Sequence, residues 1–235
     1  MHHVVLEEWS RGATWLHNLD ARAKLAAALA FLISLSLTPP SALLFSGAAV
    51  LALGVAGALA ARLPVHRLLF RSAVVVPFSA SVAAVSWFAG DPARAVALLV
   101  KSYLSAVIVL LAAATTPMPA LLHGLRSLGL PALLTLVIQF VYRYLFVISE
   151  QAQHMRLASA SRLGPGGFRV SAGAVAVLFA RSQARAERIH WAMLARGGGG
   201  PPRPLAVPSF RLKDALFAAT AVLLAAVLIL SAKRP

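Results

Sequence analysis

Apolar residues in this chain come in long unbroken runs, not in the small clusters that mark a soluble amphipathic helix. Residues 41–61, 68–89 and 95–116 are such runs. Each reaches the roughly 20 residues that a helix needs to cross a hydrocarbon layer. Residues 25–38 form a shorter run, whose helix can start at Ala21 and carry Lys24 as a snorkelling flank. Residues 215–232 form the last. Between 117 and 212 the pattern changes. Pro117 and Pro119 open a short helix predicted over 119–128, and Gly129 and Pro131 close it. A long helix is predicted over 131–163, about 50 Å at the usual rise per residue. Gly164 to Gly167 make a turn by composition, and a further helix is predicted over 169–196. The glycine run from Gly197, followed by Pro201 and Pro202, ends it. In its second half Leu178, Ser182, Ala186, Ile189 and Met193 recur at helical spacing as one apolar stripe. Arg181, Arg185 and Arg188 fall on another face.

Charge decides which runs cross. The 235 residues are 60% apolar and only 12% charged, with a net charge of +15. In a soluble domain that charge would suggest nucleic acid; here the basic residues lie between apolar runs, where Lys and Arg mark cytoplasmic loops. The composition excludes a disordered chain, a nucleic-acid-binding domain and, with no cysteine, a disulfide scaffold or thiolate metal site. No small-residue cleavage site follows the first run, so it does not read as a removable signal. Arg11, Arg22 and Lys24 precede the first run, while Pro39 and Pro40 after it carry no charge. Arg62, His66, Arg67 and Arg71 follow the second, only Asp91 and Arg94 the third, and His123 and Arg126 the fourth. Rich and poor loops alternate, with the N-terminus inside. If 131–149 also crossed, the nine arginines of 150–212 would be exported against only Glu150 and Glu187. That stretch also holds Gln139, Tyr142, Arg143 and Tyr144 near its middle, each costly against lipid. It is therefore predicted to lie along the cytoplasmic face; the alternative is a crossing helix with a buried arginine. The expected fold is an all-α integral membrane protein with about five transmembrane helices and a cytoplasmic insert of long amphipathic helices. The expected parts are a leader and four spans over 1–116, the insert over 117–212, and a last span over 213–235.

Candidate chemistry is sparse. The chain has no GxxxxGK[ST] loop for ATP, no HExxH and no paired carboxylates. Lys101 is the ionisable residue inside a span, either functional or snorkelling to the surface. Two helix ends look alike: Ala160-Ser161-Arg162 before Gly164, and Ala195-Arg196-Gly197. An arginine there can simply complement the helix dipole. It can also present a planar donor array to an acidic pocket of a partner. A membrane chain with a basic helical platform, no ATP site and no substrate-coordinating acid reads as a coupling subunit rather than an enzyme.

Four stretches carry a family resemblance. They are Leu19-Asp20-Ala21-Arg22-Ala23-Lys24-Leu25, with alanine where proline is usual; Thr115 to Pro119 with Leu128-Gly129-Leu130-Pro131; Tyr142-Arg143-Tyr144-Leu145-Phe146; and Arg188 to Gly197, RIHWAMLARG. Together they resemble the transmembrane (T) component of energy-coupling factor transporters, in its CbiQ-like cobalt and nickel branch. The first Ala-Arg-Gly signature of that family is altered here to Ala160-Ser161-Arg162-Leu163-Gly164. The resemblance implies a scaffold in the bacterial cytoplasmic membrane, joined to two ABC ATPase subunits and a small substrate-binding membrane (S) subunit. It makes 117–212 the coupling-helix region. It assigns ATPase coupling to Ala195, Arg196, Gly197, Ala160, Ser161 and Arg162, with Arg143 and Arg188 in support. ATP and magnesium would be bound by the partners, with no cofactor in this chain. Cobalt or nickel is the implied cargo; a T component for biotin or another vitamin is the alternative. Without the resemblance, a basic anchor or enzyme facing anionic lipid remains open.

Overall fold

The computed structural model describes residues 9–10, 12, 14–161, 168–197 and 210–233. Among these there is no strand, and the protein is all-α as expected. The chain divides into two compact units: residues up to Leu128 together with those from Pro208 onward, and residues Gly129–Val207.

The first unit is built around one long helix. Asp20 starts α1 (Ala21–Leu37), its carboxylate accepting the Arg22 N–H at 2.9 Å as an N-cap. Pro39 and Pro40 stop it, since neither can donate to the helix ladder. After a 3₁₀ turn at Pro40–Ala42 comes α2 (Leu43–Ala60), which closes on Arg62 in the left-handed region at φ 54°. Then α3 (Val65–Ser72) and α4 (Val76–Phe88) follow, separated by a 3₁₀ turn at Ala73–Val75 where Pro77 removes a backbone donor. They form one apolar stretch, Val65–Phe88, starting three residues before the predicted run. Asp91 caps α5 (Pro92–Ala114) by accepting the Arg94 N–H. Helices α1, α2, α3 and α4 all pack against α5. Glycines set how closely α2 approaches it. A Cβ at Gly54 would lie 3.3 Å from Val107 Cγ1, and one at Gly57 would lie 3.0 Å from Leu111 Cδ2. Small residues at such crossings let backbones come together in lipid, where van der Waals contact replaces the hydrophobic effect as the driving force. Short α6 (Met118–Ser127) and the last helix of the chain, α9 (Leu212–Lys233), both pack on α1.

The second unit is a pair, α7 (Ala132–Ser161) and α8 (Phe168–Ala195), in mutual contact.

Five helical stretches are long and apolar enough to cross a membrane: Pro40–Ala60, Val65–Phe88, Pro92–Ala114, Ala132–Ser161 and Leu212–Ala232. The number matches the sequence reading; the membership differs. Helix α1 has only 17 residues, about 25 Å of rise, and falls short by length. Helix α7 qualifies by length and composition, although charge had argued against its crossing. A second difference concerns 119–128, expected to open the cytoplasmic insert. The structure groups α6 with the first unit, because Gly124 sits where a Cβ would be 3.2 Å from Ala21 Cβ.

Candidate functional site

Two features concentrate the chemistry, one in each unit. The first is the tip of α8. Its last turn closes with the Arg196 N–H on Met193 O (3.1 Å) and the Gly197 N–H on Leu194 O (3.0 Å). Gly197 then adopts φ +73°, a conformation that L side chains rarely take. The helix therefore stops where the glycine stands, and Arg196 is left exposed at the end. Ala195 beside it is also exposed and adds no bulk. The end of α7 is similar as far as it is described: Ala160 and Ser161 are exposed, and Ser161 Oγ donates back to Ala158 O at 3.0 Å. Arg162 lies outside the described residues. The two supporting arginines are also exposed. Arg143 lies over the Tyr144 ring at 5.9 Å, and Arg188 Nε donates to Ala184 O.

The apolar stripe of α8 is partly used inside the unit. Ser182, Ala186, Ile189 and Met193 line a groove of about 260 Å³ against Phe140, Tyr144, Ile148 and Gln151 of α7. Arg185, at the border between this stripe and the face it shares with Arg181 and Arg188, lines it as well. The surface left open lies elsewhere. Leu133, Val137, Val141 and Leu145 form an exposed row at every fourth residue of α7. Gln139 and Arg143, one turn apart, are exposed on the same helix.

The second feature is a buried polar cluster at the start of α1. Lys24 is only 5% exposed and does not snorkel. Its Nζ donates to Thr115 O at 2.8 Å, just past the end of α5, and to His17 O at 3.1 Å. The Asp20 backbone N–H donates to Asp214 Oδ1 at 2.9 Å, and Asp214 Oδ2 accepts the Arg211 N–H at 2.8 Å. Arg22 Nη2 lies 3.3 Å from His123 Nε2 on α6. Asp20 and Asp214 are both buried, and Lys24 carries the opposite charge between them. Lys101 plays the mirror part at the other end of α1: from α5 it donates to Ser36 O (3.0 Å) and Thr38 O (2.7 Å). Each helix of this antiparallel pair thus supplies a lysine to the free carbonyls at the end of the other. Sequence reading did not single out Asp214. Its signal was an acid in the first turn of an otherwise apolar helix. Among the described residues no three His, Cys, Asp or Glu converge.

Residues 12–205 match the family described as CbiQ, cobalt transport protein. The chain belongs to this family. The match runs from before Asp20 past the tip of α8 and ends before Arg211 and Asp214. Membership and the five apolar helices together make it a multi-pass membrane protein. Among curated relatives, the cobalt transport protein CbiQ of Rhodobacter capsulatus is 34% identical over 118 residues, 48% of each chain. An uncharacterized protein of Methanocaldococcus jannaschii is 36% identical over 92 residues, 37% of this chain and 34% of that one. The aligned part thus spans about half the length of the first relative and about a third of the second.

Proposed function

We propose that the chain is the membrane scaffold of an energy-coupling factor importer for cobalt, with nickel as the chemically nearest alternative cargo. It transmits the motion of two ABC ATPase subunits to a separate substrate-binding membrane subunit. ATP and magnesium belong to the ATPases, and the site of action is the bacterial cytoplasmic membrane. The observation that carries this reading is the tip of α8. Gly197 in the left-handed region ends the helix and leaves an exposed guanidinium with no bulk around it. Such a tip fits an acidic groove of a partner through charge-assisted, planar hydrogen bonds. Residues 117–212 lie on the cytoplasmic side in this proposal, because their excess of arginine disfavours export. Arg162 takes the corresponding role at the end of α7, supported by Ala160 and Ser161. The open row Leu133, Val137, Val141 and Leu145 serves as the sliding surface for the substrate-binding subunit. Family membership favours cobalt over biotin or another vitamin.

The test is purification of the tagged chain from its native membrane in mild detergent. Two ATPase subunits and a small membrane protein should come with it, and the membrane should take up radioactive cobalt in an ATP-dependent way. A chain that purifies alone would refute the proposal and favour the reading as a lipid-facing anchor.

A further inference from the structure

The first unit gives up the chain after Leu128 and takes it back at Pro208. Both crossings are tied to one five-residue segment. On the outgoing side, Lys24 holds Thr115 O at 2.8 Å, two residues before Pro117, and Arg22 reaches His123 on α6. Gly124 of α6 lies against Ala21, so close that a Cβ there would stand 3.2 Å from Ala21 Cβ and 3.3 Å from Leu25 Cδ1. On the returning side, the Asp20 N–H donates to Asp214 Oδ1, while Asp214 Oδ2 accepts from Arg211, the residue before α9. Strands of chain that carry load between a moving part and a membrane need a fixed point, and these bonds supply one on each side. Asp20, Lys24 and Asp214 are buried, so breaking these hydrogen bonds leaves polar groups without partners away from water.

We propose that Asp20–Lys24 is a static anchor, a positioning segment that clamps both ends of the chain leading to residues 129–207 and stays closed throughout the transport cycle. The proposal rests on the coupling reading above and adds where the load is borne. Asp20, Lys24 and Asp214 are its positioning residues. None of them need touch cargo or ATPase.

The test uses a disulfide across the clamp. A Cβ–Cβ separation of 3.2 Å at Ala21 and Gly124 is a few tenths below the disulfide range of about 3.5–4.5 Å. The chain has no cysteine of its own, so the Ala21→Cys/Gly124→Cys pair can form only one bridge within it. The whole complex is purified, reconstituted in vesicles and assayed for ATP-driven uptake of radioactive cobalt, oxidised and then reduced. Each single-cysteine variant serves as the oxidation control. A static anchor predicts that the oxidised complex transports at the reduced rate, within about twofold. Uptake that collapses on oxidation and returns on reduction, with the ATPases still bound, would overturn the proposal, because the contact would then have to open. Lys24→Met gives the converse measurement. It should keep membrane insertion and bound ATPases yet lose at least about tenfold in uptake, the scale of one lost charged hydrogen bond. Normal uptake by this variant would also overturn the anchor. Absence of ATPases from the unmodified complex would instead overturn the coupling reading, and the anchor's role with it.

Discussion

Arg196→Ala separates docking from folding more cleanly than any other change in the chain. The side chain is exposed, and the two hydrogen bonds that close the last turn of α8 come from the backbone N–H groups of Arg196 and Gly197. Both survive the substitution. What folding loses is a cation at a helix C-terminus, worth about 0.3–1 kcal/mol when exposed. Alanine's higher helix propensity offsets part of that. Truncating one partner of a buried charge pair at an interface costs about 2–5 kcal/mol. At about 1.4 kcal/mol per tenfold, ATPase affinity should fall roughly 30- to 4,000-fold. The assay is titration of purified ATPase onto the chain in nanodiscs, alongside a thermal melt of the chain alone. The melt should shift little while binding collapses. Arg196→Lys should fall between, since an ammonium keeps the charge but not the planar fork. Unchanged ATPase affinity with normal cobalt uptake in Arg196→Ala would refute the assignment of this tip.

Asp214→Asn leaves one side-chain oxygen where two now accept, so either the Asp20 or the Arg211 N–H loses its partner. The chain should lose about 1.5–3 kcal/mol, read as a lower melting temperature in detergent. Two glycines should respond in opposite senses. Gly57→Leu drives a side chain into Leu111 across the α2–α5 contact and should cost about 1–3 kcal/mol. Gly173→Ala in α8, where a Cβ meets nothing within 4 Å, should be neutral or stabilise by up to about 1 kcal/mol. Position 154 reports the course of α7. His154→Cys should react with an impermeant maleimide only from the cytoplasmic side, and labelling from the outside would show that the helix crosses.

Apolar runs and punctuation made much of the architecture readable. The proline pair at 39–40, the glycine and proline at 129 and 131, and the glycine run from 197 each mark an observed helix end to within about two residues, because they act through the local backbone. The tip at Arg196 was legible for the same reason: a glycine that stops a helix needs no knowledge of its surroundings. Pairings distant in sequence were not legible. Asp214 meets the Asp20 N–H across 194 positions, and Lys24 meets Thr115 across 91. No local pattern encodes either contact. Lys24 misled because a lysine at the edge of a span ordinarily snorkels; here two carbonyls make burial the better solution.

The two units also differ in how far the chain satisfies its own surface. The first buries a core around Leu68, Val107 and Ala114 and ties its helix ends with two lysines and two aspartates. In the second, Thr135 is the sole buried residue among those described on α7, and none is buried among those described on α8. A pair of helices 30 and 28 residues long gains little from its own contact if so little is removed from water, since most helical stability comes from burying a face. Exposed leucine and valine on α7, and Phe179 and Trp191 on α8, need cover that the chain does not provide. Lipid can cover a purely apolar face, but Gln139 and Arg143 are exposed on another side of α7 and would be stranded if lipid surrounded the helix. A proteinaceous partner with its own polar groups satisfies both kinds of side chain at once. A helical pair that leaves both kinds of side chain for other subunits to cover is what the proposed force-transmitting role requires.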